Sequence, residues 1–309
     1  MVMRDVFQQS IAAVMIALLT LAQLVGCSRD SAVNLEDLAA RAKTGDHRAI
    51  VKLVELLAAP EGKVAERAYP AVVAAGAGAV PALLEQVGTP NRQQREYVIA
   101  ALGTLKAAQA VAPIGRVLAD RALERRYVAA WALGEIGGAD GISSLIAALD
   151  DPNHEVRRYA TRALIKINRP AVGPLVEYLQ KASGEGAAGA IRALGDIADP
   201  AALDVLLAHA AGPQRAEAFL ALGKLRDPRA AAVLIRGLDD ADGQARMNAA
   251  MALGPLGGPR AVAALRHTLT DEVHVVREWS ARSLEMITGQ PVLYKNSKGE
   301  MVRPYNVYH

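Results

Sequence analysis

Enzyme chemistry needs nucleophiles, acid–base groups or metal ligands gathered at one place, so the scarce reactive residues are examined first. The 309 residues include one cysteine, Cys27, and six histidines. A single thiol excludes an intramolecular disulfide and any paired-cysteine metal or redox site. His154 and His274 hold the same position in a recurring pattern, four units apart, and stacking of those units would keep them apart. His267 and His274 are seven residues apart, and no nearby ligand set completes a metal site. No GxSxG elbow, phosphate-cradling glycine loop or HExxH pair is present. The expectation is therefore a non-enzyme with no catalytic residue, no metal and no cofactor. The formal charge is only +3, with no basic stripe interleaved with aromatics, which argues against a nucleic-acid partner.

The elements that would position any site come from a repeat. Seven anchor positions, Leu102, Leu133, Leu164, Leu194, Leu222, Leu253 and Leu284, follow one another at 28 to 31 residues. A second ladder, Val87, Leu118, Leu149, Leu179, Leu207, Leu238 and Leu269, runs fifteen residues upstream, and Leu57 with Val72 adds an eighth, weaker unit. Each unit reads as two helices: Ile142, Leu145, Ile146 and Leu149 have the spacing of one helix face, Asp150-Asp151-Pro152-Asn153 breaks it, and Val156, Ala160, Ala163, Leu164 and Ile167 mark a second. Small residues stand four and one before nearly every anchor, leaving a groove where the next helix packs closely. Glycine just past most anchors is expected to end each second helix in a left-handed turn. A helix pair of this size buries its apolar face only by stacking.

These features resemble bacterial HEAT repeats of the phycobilisome-lyase-like type over residues 46–289; Asp227-Pro228-Arg229-Ala230-Ala231-Ala232-Val233-Leu234 is a representative segment. The resemblance implies an all-α, right-handed solenoid of about eight helix pairs. It also implies a structural ladder of a turn aspartate and an arginine six residues on: Asp120/Arg126, Asp151/Arg157, Asp240/Arg246 and Asp271/Arg277. Thr89/Arg95 and His209/Arg215 match by half, and Lys181/Ala187 has lost the pattern. Such a ladder would satisfy turn amides and align neighbouring units. Some proteins of this type are lyases that attach bilins, so a lyase-like or cofactor-handling enzyme is the alternative to a binding scaffold.

Positions two, five and six before the anchors face away from the small-residue groove. They carry Tyr97, Tyr127, Trp131, Tyr159, Arg162, Arg192, Trp279 and Arg282. Aromatic and arginine side chains dominate interface hot spots, so these are the candidate partner-binding residues, with a protein or peptide as the partner. The competing reading is that they only cover the ridge between repeats. Residues 180–212 hold the shortest unit and Gly184-Glu185-Gly186, which suggests a bend or joint. Residues 290–309 suggest a short β-hairpin capping the last unit.

At the other end, Val6 to Ser28 contains no charged residue. Three readings compete: a transmembrane helix, a cleaved secretory signal, or a lipoprotein signal. Leu24-Val25-Gly26-Cys27 resembles the bacterial lipobox, which implies cleavage after residue 26 and acylation, palmitate included, of Cys27. Residues 1–26 then form the signal, and 27–45 a lipidated linker with a cap helix. The resemblance implies a bacterial cell-envelope location, with Ser28 pointing to the outer membrane, facing the periplasm, in a Gram-negative host. An uncleaved anchor helix is the runner-up.

Overall fold

The computed structural model describes residues 34–60 and 62–304; Cys27 and the export signal lie outside them. Among the described residues no helix is long and apolar enough to cross a membrane. The chain divides between Leu105 and Lys106 into two compact units.

The first unit holds α1 (Leu35–Lys43), α2 (His47–Leu56), α3 (Gly62–Ala74), α4 (Val80–Glu85) and α5 (Arg92–Thr104). Asn34 and Asp46 start α1 and α2 by accepting amide hydrogen bonds, and Asp46 also holds Arg41 at 2.8 and 2.9 Å. Side-chain oxygens at these positions satisfy backbone donors that a helix cannot pair internally. The pairs α2/α3 and α4/α5 bury Leu53, Leu57, Val72, Leu83 and Leu102.

Six pairs make up the second unit. In order they are α6 (Val111–Ala119) and α7 (Tyr127–Ile136), α8 (Ile142–Ala147) and α9 (His154–Ile167), and α10 (Val172–Leu179) and α11 (Gly184–Ile197). Then come α12 (Leu203–His209) and α13 (Arg215–Leu225), α14 (Ala231–Gly237) and α15 (Gly243–Leu256), and α16 (Pro259–His267) and α17 (His274–Thr288). Several first helices open on a 3-10 turn begun by Asp-Pro: Asp199 and Asp227 each accept the amide two residues on, while proline fills a position with no amide to lose. The second helices α7, α9, α11, α13, α15 and α17 pack side by side in that order. The fold is thus all-α and built of stacked helix pairs.

The glycine after each anchor leucine does not end its helix. α7, α11, α13 and α15 run on through Gly134, Gly195, Gly223 and Gly254 to Ile136, Ile197, Leu225 and Leu256. The positive-φ residues come at Gly137, Asn168, Ala198, Arg226 and Gly257, each donating its amide to the anchor leucine's carbonyl. The earlier glycines serve close approach. A Cβ on Gly134 would stand 2.7 Å from the Ala163 Cβ, and one on Gly223 would stand 2.6 Å from the Ala252 Cα. Glycine faces alanine across each of these contacts, which is why both sequence columns are small.

At the irregular unit, α11 begins at Gly184 with φ +64°, and a Cβ on Gly186 would overlap the Tyr178 hydroxyl and the Asp150 carboxylate. Tyr178 donates to Asp150 at 2.8 Å there. The chain ends in an antiparallel hairpin, β1 (Tyr294–Lys295) with β2 (Met301–Val302), in the register Tyr294↔Val302 and Lys295↔Met301. Arg277 donates to the Lys295 and Asn296 carbonyls, and Glu285 holds Arg303 and the Val292 amide, tying the hairpin to α17.

Candidate interaction surface

The aspartate–arginine ladder runs between units. Each turn aspartate accepts the amide two residues on: Ala122 to Asp120, Asn153 to Asp151, Asp242 to Asp240, and Val273 to Asp271. The arginine six residues on donates to its own aspartate's backbone carbonyl, as in Arg157 to Asp151, Arg246 to Asp240 and Arg277 to Asp271. The carboxylate is held by the arginine of the preceding unit: Arg126 on Asp151, Arg215 on Asp240, and Arg246 on Asp271, each through two hydrogen bonds. Arg126 and Asp151 are each only 6% exposed. Burial works against the charged Asp151, but the hydrogen bonds from Arg126 and the Asn153 amide outweigh it and hold the carboxyl below its ordinary range. Asp240 is lowered chiefly by Arg215. The pairs Arg126–Asp151, Arg215–Asp240 and Arg246–Asp271 thus tie successive repeats together.

The ladder breaks where the short unit intervenes. The residue 25 positions after Arg157 is Ala182, so no carboxylate stands there. His209, in the aspartate's place in the following unit, donates instead to the Leu179 carbonyl at 3.0 Å.

The eight aromatic and arginine residues fall into separate groups. In the first unit Tyr97 packs against Tyr69 with ring centroids 5.5 Å apart, and burial raises its pKa. In the second unit Tyr127 on α7 and Tyr159 on α9 stack at 5.1 Å, joining two successive units. Arg125 lies over the Tyr127 ring at 5.8 Å, and Arg158 and Arg162 lie over Tyr159 at 5.3 and 5.6 Å. Guanidinium groups seek the negative face of an aromatic ring, so the rings gather three cations into one patch. Arg162 has its pKa lowered first by burial and then by the like charge of Arg158. Trp131 is half-buried one helical turn after Tyr127, on the same face of α7. Arg192 is exposed on α11 and stands outside the ring stack. Trp279 and Arg282 form a further group on α17, with the guanidinium 5.0 Å from the indole ring and 2.7 Å from Glu278.

Arg125 and Arg158 are absent from the sequence-derived set. Arg158 lies six before an anchor and four before Arg162, so the same columns could have supplied it. Arg125 precedes the helix, and no periodicity reaches it. Among the described residues no group of three or more His, Cys, Asp or Glu is placed to hold a metal ion. Further along the row, a groove of about 360 Å3 crosses α11, α13 and α15, with Gly195, Gly223 and Ala252 beneath and Leu220, Met251 and Pro255 beside it.

A family profile described as HEAT repeats matches residues 80–165, 142–216 and 213–285, more than half of the chain. No curated protein sequence matches. Among solved structures, a Kap121p mutant is similar at 15% identity and a TM-score of 0.55, covering 83% of this chain and 34% of its own. Human deoxyhypusine hydroxylase is similar at 23% identity and a TM-score of 0.36, covering 82% and 100%. The complex of CpcE and CpcF of phycocyanin lyase from Nostoc sp. PCC7120 is similar at 22% identity and a TM-score of 0.37, covering 66% and 86%. At these identities the likeness speaks to fold alone.

Proposed function

The chain belongs to the HEAT-repeat family, and on that premise we propose that it is a non-catalytic scaffold that binds a protein or peptide of the bacterial cell envelope. The observation that carries this reading is the Tyr127–Tyr159 stack with Arg125, Arg158 and Arg162 around it. A ladder so fully committed to alignment leaves the second-helix surface as the part free to vary with a partner. Large side chains there exceed what a small-residue groove needs, and aromatic–arginine clusters are the usual centres of binding energy. The membrane attachment in this reading is acylation of Cys27, supported by Leu24-Val25-Gly26-Cys27 after an uncharged stretch. Several acyl chains, each contributing ~0.8 kcal/mol per buried methylene, would hold the protein on the membrane. Ser28 favours the periplasmic face of the outer membrane in a Gram-negative host.

Lipidated, tagged protein should capture its partner from detergent-solubilised envelopes, and Trp131→Ala and Arg162→Ala should each weaken capture. Truncating a hot-spot residue costs ~2 kcal/mol or more, about thirtyfold in affinity. The melting temperature should barely move, because both side chains lie partly exposed on the second-helix surface and outside the buried leucine rows. Normal capture by both variants, or stability lost in step with capture, would overturn the assignment of the surface. Turnover of a bilin substrate would overturn the non-catalytic reading in favour of a lyase-type enzyme. Intact mass of the membrane-extracted protein tests the anchor: a chain beginning before Cys27, or lacking acyl mass, removes it.

A further inference from the structure

The row two positions before the anchors changes chemistry along the second unit, and the change specifies what can lie across it. On α7, α9, α11, α13 and α15 the row reads Trp131, Arg162, Arg192, Leu220 and Met251. These are equivalent positions in the repeat: Gly134 meets Ala163, Gly195 meets Ala221 and Gly223 meets Ala252 at backbone contact, and α9 packs directly against α11. Over α9 and α11 the row is cationic: Arg162 lies over the Tyr159 ring beside Arg158, whose own charge is met by Glu155, and Arg192 stands exposed on the next helix. Over α13 and α15 it turns apolar, with Leu220, Met251 and Pro255 beside the 360 Å3 groove. Lys224 is bound to Asp196 at that groove, so its charge is already met, and Arg226 adds an exposed guanidinium to the lining.

Adjacent packed helices lie ~8–10 Å apart, and a chain in the polyproline-II conformation advances ~3.1 Å per residue with three residues per turn, so every third side chain returns to one face after about 9 Å. A polyproline-II segment laid across the second helices therefore sets one side chain on each helix at every third residue. We infer that this surface binds an extended, polyproline-II-like peptide segment of its partner in which two acidic residues three apart are followed, in one chain direction or the other, by two large apolar residues at the same spacing. The carboxylates would face Arg162 and Arg192, and the apolar side chains would enter the groove between Leu220 and Met251. This inference rests on the proposed function and deepens it: it names the chemistry of the partner at that surface.

The test uses the full-length chain in detergent and fluorescein-labelled ten-residue peptides. The probe is Glu-Ser-Ser-Glu-Ser-Ser-Leu-Ser-Ser-Leu, made in both chain directions, with one control carrying lysine for glutamate and another shuffling the same residues out of spacing. Fluorescence anisotropy should give at least tenfold tighter binding for one direction of the probe than for either control. Raising the salt concentration should weaken that binding. Arg192→Gln, at an exposed position, should lower affinity several-fold and flatten the salt dependence, and Met251→Asp should lower it while leaving the salt dependence in place. Failure of both directions to bind, equal binding of the lysine peptide, or indifference to Arg192→Gln would overturn the inference. The two readings fail separately. A captured envelope partner that is lost on Trp131→Ala but indifferent to Arg192→Gln and to salt sinks this inference alone. Capture indifferent to Trp131→Ala and Arg162→Ala sinks the surface itself.

Discussion

Replacing Gly223 with alanine tests how the second helices are held together. A Cβ at that position would stand 2.6 Å from both the Cα and the Cβ of Ala252. Carbon atoms in contact prefer ~3.5–4 Å, so α13 and α15 would have to part by about 1 Å. Both opposing atoms are fixed to the backbone, and no side-chain rotation relieves the overlap. Overpacking of this kind costs ~1–3 kcal/mol, and the rigid opponents place it toward the upper end. Alanine also improves helix propensity by ~1 kcal/mol over glycine, leaving a net loss of about 2 kcal/mol. Gly173 supplies the opposite case: it lies in α10 without positive φ, and a Cβ there meets no atom within 4 Å. Gly173→Ala should therefore stabilise by ~0.5–1 kcal/mol through propensity alone. Urea unfolding followed by far-UV circular dichroism would read both as shifts of midpoint in opposite directions. A Gly223→Ala protein that unfolds at or above the parent's midpoint would refute the close-packing account, and so would a Gly173→Ala protein destabilised by as much.

Asp151→Ala should cost ~3–5 kcal/mol, because it leaves the buried Arg126 guanidinium without its partner; Glu55→Ala, at the exposed Lys52–Glu55 pair, should cost ~0.5 kcal/mol or less in the same unfolding assay. The folded pKa values of Asp151 and Asp240 lie below the unfolded value of about 3.9, so their contribution is complete above that pH and is lost as pH falls through the folded values. Unfolding midpoints should accordingly drop below about pH 4, and Asp151→Asn should drop less over the same interval. Ala198 and Arg226 end their helices at φ +56°, where a side chain costs ~1 kcal/mol. Ala198→Gly and Arg226→Gly should each raise the unfolding midpoint by ~0.5–1 kcal/mol equivalent, and a fall in both would mean that the helix ends are held by other contacts.

The period, the paired helices and the buried rows were legible because a solenoid repeats its hydrophobic pattern in phase. Leu133, Leu164 and Leu253 lie in the core for the same reason that they recur. The role of the following glycine was not legible, since a glycine after a periodic run serves equally as a cap or as a contact. Ile136, Ile167, Ile197, Leu225 and Leu256, three past their anchors, carried the signal that the helix continues. The direction of the arginine ladder was hidden by arithmetic. With a unit of 31 residues, an arginine six after one aspartate is also 25 before the next, and spacing cannot choose between the two. Tyr69 and Tyr178 sit outside the second-helix columns and pair across space with Tyr97 and Asp150, which no periodicity encodes. The candidate columns were readable residue by residue, whereas their division into a Tyr127–Tyr159 group and a Trp279–Arg282 group depends on packing.

That ladder has a polarity. At Asp151, Asp240 and Asp271 the carboxylate is held by a guanidinium from the repeat before it. A chain emerging from the ribosome N-terminus first therefore always presents the arginine before the aspartate that it will hold. At those three junctions the new turn can be locked as soon as it appears, without waiting for sequence still to be made. The last arginine of the ladder, Arg277, is closed by the carbonyls of the hairpin. Assembly of this array is thus written in the direction of synthesis, and a circular permutant that reverses the order at one junction would have to find that lock after the fact.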